Sequence, residues 1–173
     1  MMTVAPTRPR DKIQLTINNT LVGEVFGIPF ANVAENIVVL AHKDDTPHVA
    51  LVSAKDCIIK SNPGLSGDGR DTITFTDTIP NQIHAASKNF SAQELCLMGA
   101  TVRSMQMSGA LQSILKLTTD YAQERVAFEK QISKFQAVQH NLAKLASETA
   151  VAIAAAGSAM DTICLLYTSD AAD

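Results

Sequence analysis

The chain has 173 residues, a formal net charge of −3, and 46% hydrophobic and 18% charged residues. These proportions are typical of a globular protein that buries a core. The lack of a basic surplus and of tryptophan argues against a nucleic-acid surface built from cations and stacked aromatic rings. No apolar stretch approaches the length of about 18 residues that a membrane-spanning helix requires, so we expect no membrane span.

Cysteine and histidine usage argues against two kinds of site. The three cysteines, Cys57, Cys96 and Cys164, have no CxxC spacing, and such a sparse, odd set indicates reduced thiols in a cytoplasmic protein. The four histidines are far apart and have no partners at metal-ligand spacing. We therefore predict no metal site and no disulfide framework.

The N-terminal half has the pattern of short strands. Residues 1–12 are polar and contain proline, which predicts a disordered N-terminal segment. Over residues 13–80, apolar and polar residues alternate in short runs that are separated by clusters of asparagine, proline and glycine. The pattern predicts an antiparallel sheet of roughly five or six strands, with a hairpin loop at 42–47 and a linker at 81–90.

A helical period begins near residue 91. Ser91 and Glu94 form a capping box, in which each side chain can bond the free backbone N–H of the other. Leu95, Met98, Val102, Met105 and Gly109 then recur every three or four positions, and the pattern predicts a first helix over about 92–128. A second box at Ser133 and Gln136 predicts another helix start. It is followed by a near-heptad stripe of Phe135, Val138, Leu142, Leu145, Thr149 and Ala152.

The two helices form the second part of the predicted fold. The turn between them is short, so the second helix, over about 134–163, should run antiparallel to the first. We therefore predict an α+β fold, in which an antiparallel β-sheet domain precedes a long antiparallel helical hairpin at 91–163. Residues 164–173 break the stripe and resemble an in-frame translation of a transposon-type sequencing adaptor, so we expect them to lie outside the fold.

The most specific motif of the chain joins the two helices. It consists of Tyr121, Ala122, Arg125, Phe128, Ile132, Phe135, Gln136 and Ala137. The motif resembles the signature of acyl-CoA dehydrogenases, Tyr-Ala-x-x-Arg-x-x-Phe-Gly-x-x-Ile-x-x-Phe-Gln-Ala, and departs from it at Glu129, where the family has glycine. The resemblance implies a fragment of such a flavoprotein, with part of its middle sheet domain and a partial four-helix bundle.

The resemblance also implies cofactor-binding residues. In similar enzymes, the residues at the positions of Arg125 and Gln136 contact the pyrophosphate and ribose of an FAD in a neighbouring subunit, and Phe128 would pack near the adenine. A guanidinium offers a planar fork of donors, and a helix N-terminus favours an anion. Spacing alone favours a simpler interpretation, in which Arg125 stabilises a helix C-terminus and Gln136 only caps a helix. Lys130, a turn residue, has no matched role in the family.

The reaction implied by the resemblance is the FAD-dependent α,β-desaturation of an acyl-CoA thioester. A carboxylate removes an α proton, and the β hydrogen leaves as a hydride to the flavin. Homo- or hetero-oligomers and electron-transfer flavoprotein are the implied partners. Some members place the base at the position of Gly99, and the nearby Glu94 is used by the cap. We therefore assign no catalytic residue and expect the fragment to be inactive alone.

Two departures leave other functions open. The segment from Gly23 to Ala31 resembles a family strand whose tryptophan and threonine lie against the flavin ring. Here these positions hold Gly27 and Pro29, and proline has no N–H to donate. An alternative is therefore a non-catalytic partner subunit that contributes FAD contacts across an interface. A purely structural helical hairpin is a further alternative.

Overall fold

The structure, a computed structural model, describes residues 1–65, 67–87 and 90–169, with 165–169 described by their backbone alone. The chain divides into two compact units, Met1–Leu97 and Met98–Asp173. The predicted α+β fold is confirmed, since a mostly antiparallel sheet is followed by two long helices. Within the described ranges, no helix is long and apolar enough to cross a membrane.

Eight strands build the sheet in the described part of the first unit. Their bounds are β1 Met2–Ala5, β2 Gln14–Leu15, β3 Leu21–Pro29, β4 Asn36–Lys43, β5 Thr46–Ser53, β6 Ile58–Lys60, β7 Arg70–Thr78 and β8 Gln82–Ala85. They are ordered β6-β7-β3-β2-β4-β5-β8, and β1 also pairs with β4. Paired strands are antiparallel, except that β1 and β2 run parallel to β4.

Alternation along the strands builds the apolar core of the first unit. Ile37 and Val39 of β4 lie opposite Val52 and Ala50 of β5, and all four are fully buried. Each Val, Leu, Ile or Phe side chain removed from water contributes roughly 1.5–3 kcal/mol. The core consists of Ala5, Ile13, Leu15, Leu21, Val25, Ile28, Ala31, Ile37, Val39, Ala41, Ala50, Val52, Ala54, Ile73 and Phe75.

The N-terminal residues belong to this sheet, so the prediction that residues 1–12 are disordered is wrong. Strand β1 forms a parallel ladder with β4, and Ala5 at its end is fully buried. Strand β2 lies between β3 and β4. The first fifteen residues therefore connect the two halves of the sheet. Strand β1 ends at Ala5, because the next residue, Pro6, has no N–H to donate to the ladder.

The hairpin between β4 and β5 is tighter than the predicted loop at 42–47. Its turn consists of Asp44 and Asp45, which lie between the paired residues Lys43 and Thr46. Their φ angles, 47° and 63°, are both positive, as a two-residue type I′ turn requires. The ladder therefore continues to the tip of the hairpin.

The predicted linker at 81–90 contains a strand, so its description as a linker is wrong at β8. Strand β8 pairs antiparallel with β5 at the edge of the sheet. Of its four residues only Ile83 is partly buried, which is too little apolar alternation for the sequence pattern to indicate a strand. Residues 88 and 89 of the predicted linker lie outside the described residues.

A buried carboxylate fastens two loops at one end of the sheet. Asp71 is fully buried, and its two oxygens accept hydrogen bonds from the backbone N–H groups of Asn32 at 2.8 Å and Asn62 at 3.1 Å. Asn32 follows β3 and Asn62 precedes β7. A Cβ atom at Gly69 would lie 3.3 Å from one of these oxygens, so the close approach of this loop favours glycine.

We expect Asp71→Ala to lower the free energy of unfolding by about 2–4 kcal/mol, because two N–H groups lose a buried charged acceptor. Asp71→Asn keeps one acceptor oxygen and should cost less. Urea denaturation followed by circular dichroism measures both free energies. A stability of Asp71→Ala equal to that of the wild type would contradict this role of the carboxylate.

The two long helices are α1 Ala92–Glu124 and α2 Gln136–Ser169. The predicted capping box at the start of α1 is confirmed. The Glu94 carboxylate accepts a hydrogen bond from the Ser91 N–H at 2.5 Å, and the Ser91 hydroxyl accepts one from the Glu94 N–H at 3.3 Å.

The C-terminal end of α2 extends into the predicted adaptor tail. Residues 170–173 lie outside the described part, and the foreign origin of the tail stays a prediction.

The shielded residues of each helix form a stripe along one face. In α2 the stripe has heptad spacing, and its most buried members are Thr149 and Ala156, at 2% and 4% exposure. Its members are Val138, Leu142, Leu145, Thr149, Ala152, Ala156, Ala159 and Ile163. The stripe of α1 within the second unit consists of Met98, Thr101, Ser108, Leu111, Leu115, Thr119 and Ala122. A short connection is typical of antiparallel neighbouring helices, and such neighbours pack through stripes of this kind.

The apolar period predicted for α1 marks a different face from the shielded one. Thr101 is buried, whereas the predicted Val102 and Met105 are 53% and 43% exposed. The helix carries apolar residues on more than one side, so periodicity alone does not identify the side that is covered.

Candidate functional site

A tight β-hairpin connects the two helices. Strand β9 Val126–Ala127 pairs antiparallel with β10 Lys130–Gln131, which leaves Phe128 and Glu129 as a two-residue turn. Their φ angles are 49° and 63°, and two positive values are typical of a type I′ turn. This hairpin replaces the last turn of the predicted first helix, which ends at Glu124 instead of near residue 128.

The turn gives a physical reason for the glycine that the resemblance places at position 129. A non-glycine residue in the left-handed region costs roughly 1–2 kcal/mol, because its Cβ approaches the following carbonyl oxygen. Glu129 has φ 63° and is exposed. Glycine adopts this conformation without the steric cost, although it also loses more backbone freedom on folding.

We expect Glu129→Gly to raise the free energy of unfolding of the helical unit by about 0.5–1 kcal/mol, the steric relief less the extra backbone entropy. Thermal unfolding of the helices, followed by circular dichroism at 222 nm, measures the change. Glu129→Val is the matched contrast, because a β-branched residue fits this conformation poorly and should destabilise the chain. Glu129→Gly with lower stability than the wild type would contradict the turn assignment.

Arg125 lies where α1 ends and the hairpin begins. Its N–H donates to the carbonyl oxygen of Tyr121 at 2.9 Å, and its own carbonyl oxygen accepts a hydrogen bond from the N–H of Ile132 at 2.9 Å. The backbone of Arg125 is therefore held on both sides. Its side chain is exposed and forms no hydrogen bond or ion pair with any residue that the structure describes. The guanidinium is available to a ligand.

The N-terminus of α2 follows the second strand of the hairpin, β10, in the chain. A single-turn 3-10 helix, Ile132–Lys134, leads into it. The carbonyl oxygen of Phe135 accepts hydrogen bonds from the N–H groups of Val138 and Gln139, both at 3.0 Å. Phe135 is therefore the capping residue of α2, and the backbone N–H groups of the next two residues, at the positive end of the helix, have no partner within it.

This geometry corrects the predicted second capping box. Gln136 is the first residue of α2, whereas the box requires its glutamine three residues after the cap. Ser133 lies inside the preceding 3-10 helix. The side chain of Gln136 is exposed and has no hydrogen bond within the described residues, so the capping role that competed with a ligand role is removed.

Phe128 and Lys130 lie around Phe135. The rings of Phe128 and Phe135 meet edge to face, with centroids 6.4 Å apart. The ammonium of Lys130 lies 4.3 Å from the centroid of the Phe135 ring. Phe128 is nevertheless 91% exposed. The hairpin therefore presents an aromatic ring and two cationic side chains beside the start of a helix.

Around Gly27, the backbone of β3 is hydrogen-bonded by the N-terminal segment. Strand β3 has a bulge against β7 between Val25 and Ile28, and Gly27 lies in it with φ 70°. The N–H of Phe26 donates to the Asp11 carboxylate at 3.0 Å. The carbonyl oxygens of Phe26 and Gly27 lie 3.2 and 3.4 Å from the Thr7 hydroxyl. Several polar backbone groups of the bulge are thus engaged by the N-terminal segment.

Pro29 ends this strand and offers no donor. Its carbonyl oxygen accepts a hydrogen bond from the Thr3 hydroxyl at 2.7 Å. The proline ring removes the N–H at this position. The side chain of Arg8, bonded to Asp11 at 2.9 and 2.8 Å, also lies over the ring of Phe26 at 4.7 Å. The N-terminal segment therefore binds along β3 here.

The described titratable groups point to no general base or nucleophile. Burial, followed by the neighbouring Asp56, raises the pKa of Cys57 to about 11. Burial, followed by Asp11, also raises the pKa of Cys96. Both changes favour the thiol over the reactive thiolate. In the described residues, no group of three or more His, Cys, Asp or Glu side chains could hold a metal ion.

The structure also places the two candidate positions for a catalytic base. Glu94 is used by the α1 cap, as the sequence predicts. Gly99 lies in α1 with open space at the position of a Cβ atom. The absence of a side chain there leaves catalytic residues unassigned.

Comparisons with known proteins identify the helical part directly. Residues 91–163 match the family model described as the acyl-CoA dehydrogenase C-terminal domain. This match includes the hairpin and both helix ends that flank it. No curated protein sequence matches the chain.

Solved structures share the fold. A glutaryl-CoA dehydrogenase from Mycobacterium smegmatis in complex with FADH2 is 21% identical, with a TM-score of 0.73 over 90% of this chain and 45% of that chain. Butyryl-CoA dehydrogenase from Megasphaera elsdenii is 19% identical, with a TM-score of 0.69 over 87% of this chain and 46% of that chain. The ChsE4–ChsE5 complex from Mycobacterium tuberculosis is 21% identical, with a TM-score of 0.68 over 93% of this chain and 47% of that chain.

The chain spans less than half the length of each of these relatives. At such identities the structural likeness concerns the fold, whereas the family model concerns the sequence of the helical region. The sequence match over 91–163 therefore identifies the helical region as an acyl-CoA dehydrogenase C-terminal domain, and the sheet and helices share the fold of solved acyl-CoA dehydrogenases.

Proposed function

We propose that this chain is part of an FAD-dependent acyl-CoA dehydrogenase, which introduces a double bond between the α and β carbons of an acyl-CoA thioester. The activity is proposed for the whole protein, since the chain spans less than half the length of the related structures. The observation that carries the proposal is the hairpin inside the matched helical region, which exposes Arg125 beside the start of α2.

The residues of the hairpin fit the diphosphate end of FAD. The guanidinium of Arg125 has no partner among the described residues and offers a planar fork of donors to phosphate oxygens. The N-terminus of α2, at Gln136, adds free N–H groups and the positive end of a helix dipole. An anion that lies between these two elements would satisfy both.

Within this proposal, each predicted contact has a chemical role. Arg125 binds the pyrophosphate, the amide of Gln136 bonds the ribose hydroxyls, and the exposed ring of Phe128 packs near the adenine. FAD, when bound, supplies the acceptor for a hydride. The chain itself orients the nucleotide end of the cofactor, and no residue in it is proposed as the base.

The proposal includes partners that cover the outer face of α1. Met107, Ile114, Leu117 and Tyr121 recur at heptad spacing on this face and are at least half exposed. Large exposed apolar surfaces mark sites of association. We propose that further helices of the same protein or of another subunit cover this face. An acyl-CoA substrate and electron-transfer flavoprotein follow from the proposed reaction, and the sparse cysteines without CxxC spacing are in accord with a cytoplasmic location.

A second candidate function is a non-catalytic subunit that contributes its hairpin to an FAD held mainly by another chain. The observation in its favour is the segment from Phe26 to Pro29, which does not fit a flavin-ring contact. Its bulge is bonded to the N-terminal segment, and Pro29 has no N–H. The similar ChsE4–ChsE5 structure is a complex of two different subunits. Purification of the chain alone and with candidate partners, followed by flavin absorbance, separates the two functions.

We expect Arg125→Ala to weaken FAD binding about tenfold in the purified assembly that contains this chain, because a charge-assisted bidentate contact is lost. Arg125→Lys should restore only part of the affinity, since an ammonium lacks the planar fork. The ratio of flavin to protein absorbance after dialysis measures the retained FAD.

Lys144→Ala is the matched control for this experiment. Lys144 is an exposed cation on α2, outside the hairpin, and its replacement should leave the ratio unchanged. Equal ratios for Arg125→Ala and the wild type would remove the flavin role. Arg125 would then be a helix-end charge, and the region a purely structural helical hairpin.

A further inference from the structure

Arg125 and Lys130 belong to the same short hairpin. Lys130 pairs with Ala127 and Gln131 with Val126, and the N–H of Ile132 donates to the carbonyl oxygen of Arg125 at the base of the hairpin. Residues directly opposite each other point to the same side, so Lys130 shares one face with Ala127. Arg125 lies two residues before Ala127, where α1 ends and this hairpin begins.

The ammonium of Lys130 has a fixed position on that face. It lies 4.3 Å from the centroid of the Phe135 ring, a distance typical of a cation–π contact. Phe135 caps α2, so the contact holds the ammonium beside the start of that helix. A lysine that is free in solution would sample many rotamers, whereas this contact reduces the entropy that a ligand contact would cost.

The charges of Arg125 and Lys130 are not neutralised within the chain. Neither side chain forms an ion pair with a carboxylate of the described residues, and both are exposed. The nearest acidic residues in sequence are Glu124 and Glu129, which are also exposed. The hairpin thus carries two available cations beside a helix N-terminus, and a dinucleotide diphosphate carries two negative charges.

We infer that Lys130 is a second cationic residue of the nucleotide site and that its ammonium binds the diphosphate together with Arg125. The inference rests on the proposed function of the hairpin as the site for the diphosphate of FAD. It changes the expectation from the family signature, in which Lys130 has no role. Phe135 acts as a positioning residue, because its ring holds the ammonium.

The test is a titration of the isotopically labelled 173-residue chain with ADP, the diphosphate-bearing part of FAD, followed by NMR. Shifts of the amide signals of Arg125, Lys130 and Gln136 give the dissociation constant. We expect Lys130→Met to weaken binding about two- to fivefold, as for the loss of one exposed ionic contact, and to reduce the dependence on salt. Lys130→Arg should keep most of the affinity, and Lys144→Met should not change it.

A further variant, Phe135→Leu, keeps both cations but removes the ring that positions Lys130. We expect an affinity between those of the wild type and Lys130→Met. The same spectra report whether each variant keeps its folded helices, and Lys130→Met tests the inference even if Phe135→Leu unfolds.

The outcomes separate this inference from the proposed function. If Arg125→Ala weakens ADP binding and Lys130→Met does not, Lys130 is no part of the site and the proposed function stands. If the wild type shows no saturable shifts, or neither variant changes them, the hairpin binds no diphosphate and both proposals fail. Weakening by both variants, with Lys144→Met unchanged, supports both.

Discussion

The candidate site depends on one backbone hydrogen bond, which the N–H of Ile132 donates to the carbonyl oxygen of Arg125 at 2.9 Å. This bond closes the hairpin at its base and so ends α1 and directs the chain into α2. Each further residue of α1 would turn the next side chain by about 100° around the helix axis. The hydrogen bond therefore holds Arg125 at the point where the chain leaves the helix and enters the hairpin.

The sheet is held by a comparable long-range constraint. The strands β3 and β4 are separated by β2, and β1 pairs with β4 alongside it, so residues from the start of the chain join the two halves. The same N-terminal segment bonds the bulge at Gly27 through Thr7. The element that completes the sheet thus also determines which backbone groups of β3 remain available to a ligand.

Periodicity and capping chemistry predicted the helices and most of the strands, because these signals are local. The box at Ser91 and the stripe through Thr149 needed no tertiary information. The hairpin could not be predicted in this way, since a type I′ turn is normally indicated by Asn-Gly or Asp-Gly, and here Phe128 and Glu129 form it. Because of this turn, α1 ends at Glu124 instead of near residue 128, and α2 is capped by Phe135 instead of Ser133. Strand β1 was missed because its partner, β4, is distant in sequence.

The unusual residues of the turn favour a role outside the chain. Two non-glycine residues in the left-handed region each cost roughly 1–2 kcal/mol, and strained backbone of this kind clusters at functional sites. Phe128 is also 91% exposed, and its ring meets Phe135 only edge to face. An exposed aromatic ring beside two available cations fits the ligand proposed for this site, a nucleotide with a planar base and a diphosphate.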